Sequence, residues 1–299
     1  MTCKLCENQN INIEYEGKIK SLFVNGNADF TKEDVKVHKC LDCDVIWHDY
    51  DTPLEYYASE AYRKSISTGA TDVESHYKMF DSQVLDKLNG TGTDIFRQKT
   101  VADIGCAGGC FLDFVSNVAK HTIGVEPSAI FRDALAAKGY SAFSNLEEAL
   151  DEFKGKVDVI TSFDVIEHVD DPVDFVQSVY DLLHRGGRVI MGTPTDYPLL
   201  RKLLGRKFDK FIFSTYHPWV FSEKSLRYLF EKCGYVNISI ERKYKYGIGN
   251  VMNWLINGTA KGNIEFNLYS ETLNKVWQLE MIKAGYAEYL IVSAKKEIE

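Results

Sequence analysis

Apolar residues in the larger part of this chain form short runs that alternate with amphipathic segments. The run VADIG is followed by the helical spacing of CFLDFVSNVA, and the run HTIGV by that of AIFRDALAAKGY. Short apolar runs are typical of buried strands, and their alternation with helices is typical of a parallel sheet. The pattern predicts an α/β fold whose core is a doubly wound, mostly parallel sheet.

Residues at the ends of two later segments mark further helices. Asp171 and Pro172 suit the N-cap and first turn of a helix, which Gly186 is expected to end. Ser222 is a second predicted N-cap, and the helix after it is expected to run to Gly234. The strand AEYLIVSAKK is predicted to close the sheet.

Four cysteines near the start of the chain form two CxxC pairs. They are Cys3, Cys6, Cys40 and Cys43. Two residues between thiolates let both sulfurs reach one tetrahedral ion, and four sulfurs close its coordination shell. A redox pair, which would need a βαβ context, and a chance spacing are the alternatives. The spacing predicts a structural zinc ion in a zinc ribbon.

The interval between the two pairs alternates apolar and polar residues around an Asn25-Gly26-Asn27 turn, as hairpins do. We therefore expect a small β-rich zinc-ribbon lobe with its junction over residues 1–60. The remaining residues, 61–299, are expected to form the α/β domain.

An insertion of the α/β domain over about residues 243–285 is rich in aromatic side chains. These include Trp254, Phe266, Tyr269 and Trp277. Such rings stack on a sugar or an aromatic molecule, and they also form interfaces between subunits. The insertion is therefore predicted to be a lid over a substrate or the interface of a homodimer.

Composition narrows the classes of function. The chain has 299 residues, 45% of them hydrophobic, and a formal net charge of −8. The acidic balance disfavours nucleic acid as a partner. No apolar stretch approaches the roughly 18 residues of a membrane-spanning helix, and MTCKLCENQN lacks the basic and apolar regions of a secretion signal. These features predict a cytoplasmic protein without a membrane partner.

The turn after VADIG is the first candidate for ligand binding. Glycines from Gly105 to Gly109 let the backbone approach a ligand, and Glu126 ends the next predicted strand. A carboxylate there can accept both hydroxyls of a ribose, although a solvated acid would also suit a strand end. Ala107 and Cys110 replace glycines of the dinucleotide fingerprint, which disfavours NAD. The pattern predicts a site for another nucleoside cofactor.

A second cluster follows the fourth predicted strand, in FDVIEHVDDP. Asp164, Glu167 and His168 are three proton-accepting side chains within a short apolar stretch, and His217 lies on a later loop. Strand ends of open α/β sheets line the binding crevice, so the cluster suits general base or metal-ligand roles. His168 is the preferred base because the ordinary histidine pKa lies near neutrality. The alternative is that Glu167 and His168 only cap the next helix and pair with each other.

The segments DIGCAGG, GVEPS, FDVIEHVDDP and GGRVIMGTP occur in an order and spacing that resembles the class I S-adenosylmethionine-dependent methyltransferases. The resemblance extends from Thr100 to Lys296 and implies a seven-stranded sheet with S-adenosylmethionine as the cofactor. The family usually has a third glycine where Ala107 stands. The implied cofactor-binding residues are Asp103, Gly105, Ala107, Gly109, Glu126, Pro127, Asn145, Leu146 and Asp164.

The acidic and histidine residues also resemble a known metal site. An acid, two residues, Glu-His and a later histidine are similar to the divalent-metal site of small-RNA 3′-end methyltransferases and, in part, of ubiquinone-pathway O-methyltransferases. The resemblance implies a magnesium site at Asp164, Glu167, His168 and His217. Those families tend to have glutamate where Asp164 stands, and base catalysis by His168 without a metal is the alternative.

The resemblance implies a methyltransferase that acts on a hydroxyl of a small metabolite, such as a sugar nucleotide or glycan, with carbon or nitrogen as lesser alternatives. Its expected catalytic residues are Glu167, His168 and His217. Three tyrosines lie near the lobe junction: Tyr56, Tyr57 and Tyr62. They resemble an arrangement in zinc-lobe methyltransferases that act on sugar nucleotides. The alternative is that their rings only pack the lobe against the α/β domain. The competing functions are an RNA methyltransferase with a divalent metal and a non-catalytic cofactor-binding module.

Overall fold

A computed structural model describes residues 1–24, 27–50, 72–258 and 268–298. Its strands are β1 (Ile11–Gly17), β2 (Lys20–Val24), β3 (Asn27–Phe30), β4 (Val35–Cys40), β5 (Ile46–His48), β6 (Thr100–Ile104), β7 (His121–Val125), β8 (Ser141–Phe143), β9 (Val157–Phe163), β10 (Leu183–Pro194), β11 (Trp219–Val220), β12 (Tyr235–Lys243) and β13 (Tyr289–Lys296). The main sheet has seven strands in the order β12-β13-β10-β9-β6-β7-β8. The predicted α/β fold is confirmed.

The main sheet is parallel except at β13, which pairs antiparallel with both β10 and β12. From β6 the chain continues outward through β7 and β8, then returns to β9 on the other side of β6. The connections that follow β6 and β9 run in opposite directions. This opens a crevice beyond the carboxyl ends of these two strands. This crevice is the expected position of a ligand.

Helices accompany the sheet in the alternation that the sequence predicts. They are α1 (Val73–Thr91), α2 (Cys110–Ser116), α3 (Ala129–Ala137), α4 (Leu146–Phe153), α5 (Pro172–Leu182), α6 (Pro198–Leu204), α7 (Arg206–Ile212), α8 (Glu223–Lys232), α9 (Ile248–Asn257) and α10 (Glu271–Lys283). In the described part of the chain, none of the helices has the length and apolar character needed to cross a bilayer.

The two predicted N-caps, Asp171 and Ser222, are confirmed, whereas the predicted end of the first of these helices is wrong. The Asp171 carboxylate accepts hydrogen bonds from the amides of Val173 and Asp174, and Ser222 forms a capping box with Ser225. Helix α5 stops at Leu182 rather than near Gly186, because β10 already begins at the next residue. Leu183, the last apolar residue at helical spacing, therefore belongs to a strand.

Alternate residues of the central strands pack on opposite faces of the sheet. In β9, Ile160 joins Ile104 in a core cluster that α4, α5 and α8 cover. Its neighbour Val159 joins Val101 in a second cluster, which α1, α2 and α3 cover. The central strands are thus buried on both faces, as continuous apolar runs require.

The N-terminal lobe contains a four-stranded sheet of order β1-β4-β5-β11 and a two-stranded hairpin of β2 and β3. Strand β11 comes from the α/β domain, and it pairs antiparallel with β5 so that Trp219 lies opposite Trp47. The lobe is therefore joined to the α/β domain by backbone hydrogen bonds. The predicted tyrosine cluster at Tyr56, Tyr57 and Tyr62 lies outside the described residues.

An arginine of α6 forms a second link between the lobe and the α/β domain. The Arg201 guanidinium contacts three carboxylates, those of Glu14 in β1 at 2.6 Å, Asp196 at 2.8 Å and Asp209 at 2.7 Å. Its side chain is only 16% exposed. The guanidinium and the three carboxylates are largely withdrawn from water. Removing one partner would leave the others partly buried without an opposite charge.

We expect Arg201→Ala to lower the free energy of unfolding by about 3–5 kcal/mol, because it leaves three carboxylates without their shared cation. Arg242→Ala is the matched control, since Arg242 pairs with Glu223 through side chains that are 44% and 40% exposed. The control should lose less than about 1 kcal/mol. Urea unfolding followed by fluorescence measures both, and equal losses would contradict this account of the link.

Candidate active site

The turn after β6 requires glycine at its first position. Gly105 has φ +75°, and a Cβ built there would lie 2.3 Å from Cγ2 of Val165. Ala107 has φ +46°, also in the left-handed region that favours glycine. The turn therefore keeps the tight backbone path of a ligand cradle even where the sequence departs from glycine.

Glu126 lies directly after β7 and is only 2% exposed. Its Oε2 accepts a hydrogen bond from the Ala107 amide at 2.9 Å, and its Oε1 accepts one from the Ser128 amide at 2.8 Å. These bonds hold the carboxylate against the glycine turn. Each carboxylate oxygen has further acceptor capacity, so the pair of oxygens can bind two neighbouring hydroxyls of a ligand.

A cavity of about 260 Å³ lies beside this carboxylate, at the carboxyl ends of β6 and β9. The predicted cofactor residues that line it are Asp103, Gly105, Ala107, Glu126, Pro127 and Asp164. Burial raises the pKa of Asp103 to about 6, while the Thr161 hydroxyl donates a hydrogen bond to its carboxylate at 2.7 Å. The cavity combines a nonpolar turn with buried acceptors, which fits a nucleoside ligand.

Three predicted cofactor residues do not line this cavity. The Asn145 side chain caps α4 by accepting a hydrogen bond from the Glu148 amide at 2.9 Å. Leu146 packs against the core of the sheet. Gly109 begins α2 with φ +84°, where a Cβ would lie 2.5 Å from Cδ2 of Leu135. These positions support neighbouring elements rather than the cavity wall.

Helix α1 forms a wall of the cavity that the sequence reasoning missed. His76, Phe80, Val84 and Lys87 line the cavity from this helix. Their spacing of three to four residues places them on one helical face. That periodicity could have indicated this face of α1. Core packing gives the same periodicity, so the pattern does not identify a cavity wall by itself.

A second and larger cavity, of about 560 Å³, lies beyond the first. Many aromatic residues line it, among them Tyr197, Phe208, Phe211, Tyr216, Trp219, Tyr246, Trp254 and Tyr289. Phe80, Gln83, Asp164 and His168 line both cavities. The two cavities therefore share a wall, and two of the predicted polar residues belong to it.

His168 lies in a short 3-10 helix, Ile166–His168, that follows β9. Its Nδ1 is within hydrogen-bonding distance of the Tyr216 carbonyl oxygen. A carbonyl only accepts, so Nδ1 carries the proton and Nε2 is the basic nitrogen of the neutral ring. Burial lowers the pKa of His168 to about 4, below the near-neutral value of an unperturbed histidine.

Glu167 is buried beneath the same 3-10 helix and is 1% exposed. Its Oε2 accepts a hydrogen bond from the Thr193 hydroxyl at 3.0 Å. Burial, together with nearby Asp164, raises the pKa of Glu167 well above its ordinary value. Asp171 caps the next helix, so the capping part of the alternative for Glu167 and His168 is wrong, whereas candidate ligand atoms of the two residues do lie within 4.8 Å of each other.

Three of the four predicted magnesium ligands come together. Candidate ligand atoms of Glu167, His168 and His217 lie within 4.8 Å of one another. The rings of His168 and His217 meet edge to face with centroids 4.7 Å apart. Asp164 is not in this group; it is exposed and has φ +59° at the end of β9. The predicted set of four is therefore not assembled in full.

The predicted insertion contributes to the wall of the larger cavity. Trp254 of α9 lines it, whereas Trp277 of α10 packs against Tyr244 with ring centroids 6.4 Å apart. Tyr269 lies outside the cavity lining, and Phe266 lies outside the described residues. Trp254 therefore places part of the insertion in the cavity wall, and its role as a lid or as a homodimer interface stays a prediction.

The four N-terminal cysteines form a separate cluster in the lobe. Sγ of Cys3 lies 3.7 Å from Sγ of Cys43, and Sγ of Cys6 lies 3.5 Å from Sγ of Cys40. These separations are too long for disulfide bonds of about 2.0 Å. Sulfurs about 2.3 Å from a tetrahedral zinc would lie about 3.8 Å apart, close to the observed separations.

Comparisons with known proteins agree with this geometry. Residues 75–240 match a family described as a methyltransferase domain. A ubiquinone biosynthesis O-methyltransferase of Erwinia tasmaniensis is 32% identical over 102 residues, covering 32% of this chain and 42% of that protein. One of Shewanella pealeana is 30% identical over 116 residues, covering 36% and 49%. The chain matches less than half the length of these curated relatives.

Solved structures share the fold at low sequence identity. A SAM-dependent methyltransferase from Archaeoglobus fulgidus has a TM-score of 0.51 at 19% identity, covering 75% of this chain and 97% of that one. A possible histamine N-methyltransferase from Thermotoga maritima has a TM-score of 0.50 at 18% identity, covering 77% and 97%. The resemblance to class I S-adenosylmethionine-dependent methyltransferases is confirmed. Since the family match covers more than half of the 299 residues, the chain belongs to the methyltransferase domain family.

Proposed function

We propose that this protein transfers a methyl group from S-adenosylmethionine to a hydroxyl of a small metabolite, such as a sugar nucleotide or a glycan. The observation that carries the proposal is the wall shared by the two cavities, which contains His168. A donor in the smaller cavity and an acceptor in the larger one would meet at this wall. The curated relatives are O-methyltransferases by name, which supports a hydroxyl acceptor.

The smaller cavity fits the methyl donor. The Glu126 carboxylate, oriented by two backbone amides, would accept the ribose hydroxyls. Gly105 and Ala107 would border the methionine portion, where the bare backbone of the turn leaves room. When bound, S-adenosylmethionine supplies a methyl group on a positively charged sulfur that is open to displacement.

His168 would take the proton of the acceptor hydroxyl at Nε2. The bond from Nδ1 to the Tyr216 carbonyl fixes the tautomer that this role requires. His217 and Glu167 lie beside the ring and would orient the acceptor, with Glu167 held by Thr193. We favour base catalysis without a metal, because Asp164, the fourth predicted ligand, is not grouped with Glu167, His168 and His217.

The four sulfurs of the lobe would hold a structural zinc ion, since their separations suit one tetrahedral centre. Backbone amides of Leu5 and Cys6 point at Sγ of Cys3 from 3.4 and 3.5 Å. Amide donors of this kind orient and stabilise thiolate ligands. The zinc-bound lobe would complete the acceptor cavity rather than perform chemistry.

Glu126→Gln should weaken the binding of S-adenosylmethionine about 10- to 100-fold, because hydrogen bonds to a charged acceptor contribute about 1.5–3 kcal/mol. Glu147→Gln is the control, since Glu147 is exposed on α4 and outside both cavities. Isothermal titration calorimetry measures both variants. Unchanged affinity in Glu126→Gln would show that ribose binding lies elsewhere.

The proposed reaction is tested by screening sugar nucleotides and phenols with S-adenosylmethionine and detecting a gain of one methyl group by mass spectrometry. With the acceptor found, His168→Ala should lower kcat by about 10²- to 10⁴-fold. In the wild type, protonation removes the base, and the pKa is about 4. Activity should therefore stay level on acidification to about pH 5 and fall near pH 4.

A fall in activity centred near the ordinary histidine pKa of about 6.5 would contradict the assigned protonation state. Complete loss of activity in EDTA, with recovery on adding Mg²⁺, would favour the metal-dependent alternative at Glu167, His168 and His217. The His168→Ala variant should still bind S-adenosylmethionine, which separates a catalytic loss from misfolding.

Cys40→Ser should reduce the zinc content of the purified protein from about one ion per chain to well below that, because one ligand of the closed shell is lost. Cys233→Ala is the control, since Cys233 is buried but is not one of the four cysteines whose sulfurs lie together. Inductively coupled plasma mass spectrometry gives the content of both. Equal zinc in Cys40→Ser and the wild type would exclude this site.

A further inference from the structure

A buried histidine of the lobe contacts the loop that leads into β11. His48 is the last residue of β5 and is 3% exposed. Its Nε2 lies 2.9 Å from the Ser214 carbonyl oxygen, and its backbone amide donates to the Pro218 carbonyl at 3.2 Å. These residues are far apart in the sequence, so the two bonds connect the lobe with a loop of the α/β domain.

The other ring nitrogen of His48 determines where the ring carries its proton. The Tyr50 amide lies 3.1 Å from Nδ1. An amide N–H only donates, so Nδ1 is the acceptor and Nε2 carries the proton of the neutral ring. Burial lowers the pKa of His48, although hydrogen bonds to the Ser214 and His217 carbonyls act in the opposite direction. The neutral ring therefore donates to Ser214 through Nε2.

The contacted loop contains a tight turn from Ser214 to His217. The His217 amide donates to the Ser214 carbonyl at 3.0 Å, which is the bond that closes a β-turn. Tyr216 lies within this turn, and its carbonyl oxygen is within hydrogen-bonding distance of Nδ1 of His168. His48 thus contacts the carbonyls at the start of the turn and just after it, whereas His168 contacts a carbonyl between them.

Strand β2 supports the same turn at a different residue. The Thr215 amide donates to the Lys20 carbonyl at 2.8 Å, and the Thr215 hydroxyl donates to the Ser21 carbonyl at 3.0 Å. These bonds hold the interior of the turn, whereas His48 holds its two ends. A turn that is released at one end rotates more easily, so the carbonyl that faces His168 would lose its fixed direction.

We propose that His48 is a positioning residue of the active site, which fixes the turn so that the Tyr216 carbonyl keeps the proton of His168 on Nδ1. The inference rests on the proposed methyl transfer, in which Nε2 of His168 takes the proton of the acceptor. His48 lines neither of the two cavities, so it acts on the base only through the turn.

Two substitutions separate the roles of the two ring nitrogens of His48. His48→Gln places an amide nitrogen as many bonds from Cβ as Nε2 is, so it can still donate to the Ser214 carbonyl. His48→Asn places its amide group where Nδ1 is and is too short to reach that carbonyl. Both replacements are polar and smaller than histidine, so the pair differs mainly in the bond to the turn.

The test is NMR of ¹⁵N-labelled histidine rings in the full-length protein, saturated with S-adenosylhomocysteine at neutral pH. The spectra distinguish protonated from unprotonated ring nitrogens, and the His168→Ala variant identifies the resonances of His168. Wild type and His48→Gln should show His168 protonated at Nδ1. His48→Asn should lower the ratio of the Nδ1–H to the Nε2–H tautomer of His168 by about tenfold, as expected for the loss of one hydrogen bond.

His121→Asn is the matched control. His121 begins β7 in the main sheet, and its Nε2 lies 3.0 Å from the Ser141 hydroxyl oxygen. This variant should leave His168 as in wild type. The inference would be overturned by an Nε2–H tautomer of His168 in wild type, an unchanged ratio in His48→Asn, or an equal loss in His48→Gln or His121→Asn.

The same samples separate this inference from the proposed function. If S-adenosylhomocysteine fails to bind wild type, the methyl-transfer proposal fails. If it binds and His168 does not respond to His48→Asn, only the assignment of His48 fails. Thermal melting verifies that each variant is folded. If His48→Asn does not fold, His48→Gln decides alone, since a retained Nδ1–H form supports the inference and a lost one contradicts it.

Discussion

The pairing of β11 with β5 is the contact on which the acceptor side of the active site depends. It places Trp219 opposite Trp47 and keeps the preceding segment against the start of β2 at Lys20. That segment carries Tyr216, whose carbonyl oxygen fixes the tautomer of His168. The basic nitrogen of the proposed catalyst is therefore oriented by a loop that the N-terminal lobe holds in place.

The 3-10 helix that carries His168 is held from two sides. On the side of the sheet, the Thr193 hydroxyl in β10 donates to Glu167 at 3.0 Å. On the side of the lobe, Nε1 of Trp219 donates to the Val169 carbonyl at 2.8 Å. Precise placement of a general base needs this kind of support, since proton transfer depends on short distances and correct alignment. The lobe, through its pairing with β11, thus supports the proposed site.

Features formed by residues close together in the sequence could be predicted. Features formed where distant segments meet could not. The glycine turn and Glu126 each follow from one strand end, so their places were predictable. Asn145 caps α4, a role that a polar residue between a strand and a helix also suits, and its expected place beside the cofactor stays a prediction. The backbone bonds of Lys20 with Phe213 and Thr215 join segments far apart in the sequence, which no local pattern reveals. Burial, which lowers the pKa of His168, likewise results from packing between distant segments.

The most direct test of the account is a crystal structure of the protein with S-adenosylhomocysteine. The ribose hydroxyls are expected on the Glu126 carboxylate and the sulfur is expected to point toward the wall shared by the two cavities, with Nε2 of His168 facing the larger one. A nucleoside bound outside the smaller cavity, or a sulfur directed away from His168, would contradict it.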